Sequence, residues 1–201
     1  MIIVISSPEP VAYEASIINQ LFDEGLEVLH VRKPHASEPE VISLLKEIKQ
    51  IYYHRIALHQ FHELAVDFGL KRIHFAEKKR LKADHNELQR LKRSDVILST
   101  SVHQVQSYRN MPDLFAYSFF GPVFNSISKP GYNTTLPDNF VFPAEPGRPD
   151  VIALGGIDES NVKKIRSMKF DGIAVMGAVW QSPNRVKKFK NLHKLWYDQS
   201  C

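Results

Sequence analysis

Short apolar runs alternate with segments of helical periodicity along almost the whole chain. Apolar runs without polar alternation are typical of strands buried on both faces, and a helix between two such strands makes them parallel. Strands are predicted at 2–6, 27–32, 55–59, 72–76, 95–101 and 114–120, with two more inside 150–177. Helices are predicted at 10–24, 61–68, 84–92, 104–109 and 184–197, with one capped by Ser37 and one between the last two strands. This order predicts an α/β fold, a TIM (βα)8 barrel formed by a single domain over residues 1–201.

The segment 126–149 interrupts the alternation. It has no helical period, and five of the chain's twelve prolines fall in it: Pro130, Pro137, Pro143, Pro146 and Pro149. A long connection without secondary structure is usually a functional lid or a disordered segment. Because ligands bind at the carboxyl ends of barrel strands, its position after the sixth strand favours a lid. We therefore predict an irregular loop that replaces much of the helix after that strand.

Glycine-bearing turns follow the last two predicted strands. Gly155 and Gly156 end the seventh strand, and Met176 and Gly177 end the eighth. Backbone N–H groups of such turns bind phosphate in barrels of this kind, because a residue without Cβ lets a ligand approach the main chain. The alternative is that these glycines only make tight turns. We interpret the four residues as a phosphate-binding site.

Polar residues cluster at the ends of the other strands. His30, His59 and His103 are candidate substrate-binding residues, and Arg32 and Ser101 are candidate catalytic residues. Residues two apart in a strand share a face, so His30 points with Arg32. A guanidinium directed into a barrel mouth requires an anionic partner such as a diphosphate. For any single histidine, an ordinary polar residue at a strand end remains the alternative.

Composition and charge narrow the class of protein. The net charge of +4 and the pI near 9.1 suit anionic ligands, but the basic clusters carry no interleaved aromatic residues, so we expect no nucleic-acid partner. We interpret these clusters as solvated faces: Lys78, Lys79 and Arg80; Arg90, Lys92 and Arg93; and Lys187, Lys188 and Lys190. The single cysteine, Cys201, suits a reducing compartment. No apolar run reaches the length of a membrane span, so we expect a cytoplasmic protein with no membrane partner.

Several motifs, taken in chain order, resemble those of thiamine phosphate synthases. Gly121-Pro122-Val123-Phe124 followed by Ser126, Ser128 and Lys129 is similar to the G-P-V-F-x-T-x-T-K segment of that family. Ser101-Val102-His103 resembles the S-x-H after their fifth strand, and 153–156 and 172–177 resemble their last two strands. The resemblance covers nearly the whole chain and implies a barrel of thiamin biosynthesis, in a superfamily that also contains the TenI branch.

The resemblance implies a reaction and roles for the site residues. In the synthases, pyrophosphate leaves a hydroxymethylpyrimidine diphosphate with help from Mg²⁺, and the nitrogen of hydroxyethylthiazole phosphate captures the cation. Carried over, Arg32 and Lys129 hold the diphosphate and Ser101 lies beside it. Ser126 and Ser128 flank the substrates, and Gly156, Met176 and Gly177 bind the thiazole phosphate. The partners it implies are therefore small phosphorylated thiazole and pyrimidine compounds.

The chain departs from the family pattern where the synthases bind Mg²⁺. Gln60 stands at the aspartate of N-D-x-x-x-L-A, and Lys79 stands at the second aspartate, in H-L-G-Q-x-D. Mg²⁺ requires anionic oxygen ligands, so the usual ligands of this cofactor are not present, and we assign no metal-binding residue.

Two alternatives remain open. His30-Val31-Arg32 is closer to the H-x-R of the TenI branch, which implies a thiazole-phosphate-binding regulator or isomerase, although Pro122 occupies the position of that branch's tautomerase histidine. The other alternative is a metal hydrolase built from histidines at successive strand ends, His30, His59, His74 and His103. It ranks last because these residues lack the H-x-x-x-H kind of ligand spacing.

Overall fold

A computed structural model describes residues 1–125, 136–137, 139–143, 145 and 147–198. The strands are β1 (Ile2–Ile5), β2 (Val28–Val31), β3 (Ile56–Leu58), β4 (Arg72–Phe75), β5 (Ile97–Val102), β6 (Tyr117–Phe120), β7 (Asp150–Leu154) and β8 (Gly172–Val175). The α-helices are α1 (Glu14–Asp23), α2 (Glu38–Glu47), α3 (Leu64–Asp67), α4 (Glu77–Arg80), α5 (His85–Arg93), α6 (Val105–Arg109), α7 (Val162–Ser167), α8 (Gly177–Trp180) and α9 (Arg185–Tyr197). A 3-10 helix (Gln50–Arg55) precedes β3.

The strands close into one parallel barrel in chain order, with β8 paired to β1. This confirms the predicted TIM (βα)8 barrel. The described residues between β6 and β7 form no helix, as the predicted irregular loop requires. The remainder of that loop, with the predicted lid, lies outside the described residues. In the described part of the chain, no helix is both long and apolar enough to cross a membrane.

Side chains pack in two layers because successive strand residues point to opposite faces. The outer layer joins the strands to the helices and includes Leu29, Val31 and Ile73. The inner layer fills the barrel with Ile3, Ile5, Val28, Ala57, Tyr117, Phe119, Ile152 and Ala174. The next inward-facing positions along each strand therefore lie at the carboxyl-terminal mouth of the barrel.

Among the elements that begin later than the apolar pattern predicts, three begin after a residue of positive φ. The helix predicted from residue 10 begins after Tyr13, whose φ is 58°, and the helix predicted from residue 61 begins after Phe61, whose φ is 52°. The strand predicted from residue 95 begins beyond Asp95, whose φ is 61°. A positive φ belongs neither to an α-helix nor to a strand, so each of these residues lies outside the regular element that follows it.

The prediction that the first basic cluster is a solvated face is wrong at Arg80. The cluster forms α4, and the Arg80 side chain is buried, with Nη2 3.6 Å from Oε1 of Glu77. Burial lowers the pKa of Arg80, and Glu77 opposes that shift. The aliphatic stem of an arginine can pack on apolar surface while its guanidinium pairs with a carboxylate. Composition alone does not indicate which arginine of a basic cluster is buried in this way.

Candidate active site

A cavity of about 560 Å³ opens at the carboxyl-terminal mouth of the barrel, a volume that suits a small phosphorylated molecule. Its lining includes most of the predicted site residues that the structure describes: Arg32, His59, Ser101, His103, Gly155, Gly156, Met176 and Gly177. These residues follow different strands and meet because all parallel strands end at the same edge of the barrel. His30 does not line the cavity, and Ser126, Ser128 and Lys129 lie outside the described residues.

The two glycine turns face each other across neighbouring strands β7 and β8. The backbone N–H groups of Gly155, Gly156 and Gly177 donate no hydrogen bond to any described residue. Asn161 stabilises the first turn, because its amide donates to the carbonyl oxygen of Gly156 at 2.8 Å and accepts from the N–H of Asp158 at 3.0 Å. The turns therefore line the cavity with main-chain N–H groups that have no partner among the described residues, and Asn161 is a support that the sequence patterns did not reveal.

The reason for glycine at these positions differs in part from the one that the sequence suggests. Gly155 and Gly156 have φ values of 101° and 65°, which favour glycine. A Cβ atom on Gly156 would lie 2.5 Å from the carbonyl oxygen of Asn125, and one on Gly155 would lie 2.9 Å from Cα of Pro122. The absence of Cβ therefore allows the glycine turn to approach the chain's own segment after β6. In that segment, the N–H of Phe124 donates to the carbonyl oxygen of Gly155 at 3.1 Å.

Arg32 follows β2 and is held at its backbone by Ser6. The Ser6 hydroxyl accepts from the N–H of Arg32 at 2.8 Å and donates to its carbonyl oxygen at 3.1 Å. The partly buried guanidinium lines the cavity and makes no ion pair with any described residue. A partly buried cation without a carboxylate partner favours the binding of an anionic ligand.

Lys188 supplies a second cation that sequence reasoning missed. It was expected on a solvated face, but it lies in the first turn of α9, lines the cavity and is only partly exposed. Its Nζ lies 2.8 Å from Oε2 of Glu159. Asp158 also lines the cavity, with its Oδ1 accepting from the N–H of Ser160 at 2.8 Å. The packing of α9 against α1, α7 and α8 sets the position of Lys188, so no local pattern could identify it.

A cluster of imidazoles lies at the base of the cavity, where His59 and His74 line it and His30 contacts both of their rings. His30 is fully buried, with Nε2 2.6 Å from the Tyr117 hydroxyl and Nδ1 2.9 Å from Nε2 of His59. His59 is partly exposed and packs on His74, with ring centroids 4.1 Å apart. The two nitrogens of His74 lie 3.0 Å from the hydroxyl oxygens of Ser99 and Ser101.

Burial keeps these three rings neutral. It lowers the pKa of His74 to about 3, with smaller contributions from His62 and Arg32. Burial is also the largest cause of the lowered pKa values of His30 and His59, followed in both by the electrostatic interaction with His74, which opposes a second protonated ring in the cluster. Desolvation disfavours the imidazolium, so near neutral pH the cluster carries hydrogen-bond donors and acceptors but no charge.

His103 is separate from this cluster. It is exposed at the cavity rim, and its Nδ1 lies 2.6 Å from Oε2 of Glu77. The four-histidine arrangement of the metal-hydrolase hypothesis therefore does not form, because only the other three rings converge.

The described residues do not fit a magnesium site at the positions that the resemblance implies. The amide nitrogen of Gln60 donates to the carbonyl oxygen of Lys33, and Lys79 adds a positive charge. Glu77 is engaged by His103 and Arg80, and Asp84 caps α5 by accepting from the N–H of Asn86 at 3.0 Å. Neither carboxylate replaces the absent aspartates, since Mg²⁺ requires convergent oxygen ligands in near-octahedral geometry.

Comparisons with known proteins identify relatives of this chain in sequence and in fold. A family model described as thiamine monophosphate synthase matches residues 2–179. The thiamine-phosphate synthase of Clostridium tetani is 25% identical over 159 residues, which is 77% of this chain and 75% of the relative. A crystal structure of thiamine phosphate pyrophosphorylase from Bacteroides thetaiotaomicron has a TM-score of 0.73 and 26% identity, covering 96% of each chain. The pyrophosphorylase of Pyrococcus furiosus shares the fold, with a TM-score of 0.74 and 16% identity over 97% of this chain and 94% of that one.

Proposed function

The chain belongs to the thiamine monophosphate synthase family, a family of thiamine biosynthesis, and we propose that it joins hydroxymethylpyrimidine diphosphate to hydroxyethylthiazole phosphate, releasing pyrophosphate. The observation that carries this proposal is the pair of glycine turns whose unpaired N–H groups line one cavity with Arg32. Main-chain donors bind a terminal phosphate, and a guanidinium binds a diphosphate through two parallel hydrogen bonds.

The two anionic groups take different parts of the cavity. The thiazole phosphate accepts hydrogen bonds from Gly155, Gly156 and Gly177 at the ends of β7 and β8. The diphosphate lies beside Arg32, at the end of β2, and Ser101 contributes a hydroxyl from β5. Since β2 and β7 are not neighbours in the barrel, the heterocycles lie between the two anions and over the neutral imidazoles.

Catalysis in this proposal depends on stabilising the departing pyrophosphate. Negative charge accumulates on the leaving group as its bond to the pyrimidine methylene carbon breaks, and fixed cations near that group lower the barrier. Arg32 supplies such a charge directly, and Lys188 raises the positive potential of the cavity despite its pairing with Glu159. From the resemblance, Lys129 adds a further cation, and Ser126 and Ser128 contact the substrates. No step is assigned to Mg²⁺.

A second candidate function is binding of thiazole phosphate without transfer, as in a TenI-like regulator or isomerase. The observation that favours it is the pair of non-acidic residues, Gln60 and Lys79, at the positions of the aspartates. The Gln60 amide is already committed to the carbonyl oxygen of Lys33. In this candidate function the glycine turns still bind the phosphate of the ligand, but no pyrophosphate is released.

A pyrophosphate-release assay distinguishes the two candidates. We expect the purified chain to release pyrophosphate only when hydroxymethylpyrimidine diphosphate and hydroxyethylthiazole phosphate are both present, and to form thiamine phosphate in equal amount. The product is identified by mass spectrometry, and each substrate alone is the control. Thiazole phosphate binding without any pyrophosphate in the complete mixture would reject the transferase and support the second candidate.

A further inference from the structure

Three adjacent imidazoles near the base of the cavity, two of them buried, have the composition of a transition-metal site. One ligand nitrogen each from His30, His59 and His74 can be chosen so that all lie within 4.8 Å of one another. They form the one such group of histidine, cysteine or acidic residues found in the described part of the chain. His30 and His74 lie in β2 and β4, and His59 directly follows β3 with its N–H donating to the carbonyl oxygen of Val31 at 3.2 Å, so the barrel itself holds their backbones in register.

The hydrogen bonds around His74 leave Nε2 available to a metal in one of the two neutral tautomers. Nδ1 lies 3.0 Å from the hydroxyl oxygen of Ser99, which lies 3.3 Å from the carbonyl oxygen of Ile73. In the tautomer with the proton on Nδ1, Ser99 accepts that hydrogen bond and the Nε2 lone pair faces the hydroxyl of Ser101 at 3.0 Å. A ligand histidine typically donates its other N–H to a fixed oxygen, which is the role that Ser99 has here.

His30 has the same kind of support. Its Nε2 lies 2.6 Å from the hydroxyl of Tyr117, which can accept an N–H and leave Nδ1 as the ligand atom. Nδ1 of His30 and Nε2 of His59 are 2.9 Å apart, whereas two nitrogens bound to one zinc at about 2.0–2.1 Å lie about 3.4 Å apart. Binding of an ion therefore requires these two nitrogens to separate by about 0.5 Å and the His59 ring to rotate out of its stack on His74, in which the two ring planes are 25° apart. His59 is the residue that moves, because it is the partly exposed one of the three.

We propose that His30, His59 and His74 bind one first-row divalent transition metal ion, with Zn²⁺ as the representative ion, and that its open coordination position faces the cavity. Imidazole nitrogen suits Zn²⁺, Ni²⁺ and Cu²⁺, whereas Mg²⁺ prefers oxygen. Three histidines with one open position form a common zinc arrangement. The proposal does not depend on the transferase reaction.

Metal stoichiometry tests this site directly. The full chain, prepared without an affinity tag, is stripped with a chelator, incubated with Zn²⁺, desalted and analysed for metal content. We expect one ion per chain, and Co²⁺ in place of Zn²⁺ should produce the visible absorption of a low-symmetry cobalt site. Replacing the partly exposed ligand, His59→Asn, should weaken Zn²⁺ binding at least about 10-fold.

His103→Asn is the matched control, since His103 lies on the same cavity but outside the cluster. It should retain one ion per chain, and circular dichroism should show both variants folded. Metal content near zero in the unsubstituted chain would overturn the proposal without reference to any variant. Equal loss of Zn²⁺ in His59→Asn and His103→Asn would overturn it as well, because binding would then not belong to the three-imidazole cluster.

Discussion

Replacing Arg32 with alanine is expected to weaken binding of hydroxymethylpyrimidine diphosphate about 100-fold. The guanidinium lines the cavity without an ion-pair partner among the described residues, and its backbone is fixed by Ser6. Two hydrogen bonds between charged groups contribute about 1.5–3 kcal/mol each, and removing one such donor from a site of developing charge reduces the rate about 10²–10³-fold. Isothermal titration with the diphosphate, together with kcat/KM for pyrophosphate release, measures both effects.

The affinity for thiazole phosphate separates a local effect of Arg32 from a general loss of structure. That affinity should change less than about 3-fold in Arg32→Ala, because the glycine turns lie on other strands. Arg90→Ala is the control for total charge, since Arg90 is exposed on α5. If Arg90→Ala weakened diphosphate binding as much as Arg32→Ala, the assignment of Arg32 would be incorrect and the effect would come from net charge.

Replacing Gly156 with alanine is expected to weaken thiazole phosphate binding at least about 10-fold and to lower stability. The φ of 65° costs an L residue about 1–2 kcal/mol. The new Cβ would also lie 2.5 Å from the oxygen of Asn125 and 2.8 Å from the carbonyl carbon of Phe124. Because both contacts are to backbone, the turn and the segment after β6 must separate, which displaces the N–H donors. Urea unfolding and ligand titration measure the two consequences.

Gly69 provides a matched control for backbone strain. Its φ is 64°, but a Cβ there would meet no atom within 4 Å. Gly69→Ala should therefore lose about the same 1–2 kcal/mol from strain while keeping full thiazole phosphate affinity. Equal affinities in the two variants would show that the geometry of the Gly155–Gly156 turn is irrelevant to the ligand.

The barrel was predictable because its signals are local and repeated. Continuous apolar runs indicate strands buried on both faces, and the alternation of strand and helix is compatible with few fold topologies. Period-two alternation also predicted correctly that Arg32 follows His30 on the inward face. The late starts at Tyr13, Phe61 and Asp95 were not predictable, because none of these residue types requires a positive φ.

The composition of the site was predictable only where a motif marks it. The glycine turns and Arg32 are recognisable from their places at strand ends. Lys188 resembles its solvated neighbours in the sequence and enters the cavity only through the packing of α9. The convergence of His30, His59 and His74 also escapes local spacing rules, because ligands from adjacent parallel strands are separated in sequence by entire helices.

Titration of the unsubstituted chain with hydroxyethylthiazole phosphate, with and without Mg²⁺, tests the central claim most directly. The claim is that main-chain N–H groups at the ends of β7 and β8 bind the phosphate of this compound. We expect one binding site per chain, with an affinity that Mg²⁺ and a chelator leave unchanged within about 2-fold, because no magnesium site forms at Gln60 or Lys79 among the described residues. Absence of saturable binding, or binding that requires Mg²⁺, would contradict the account.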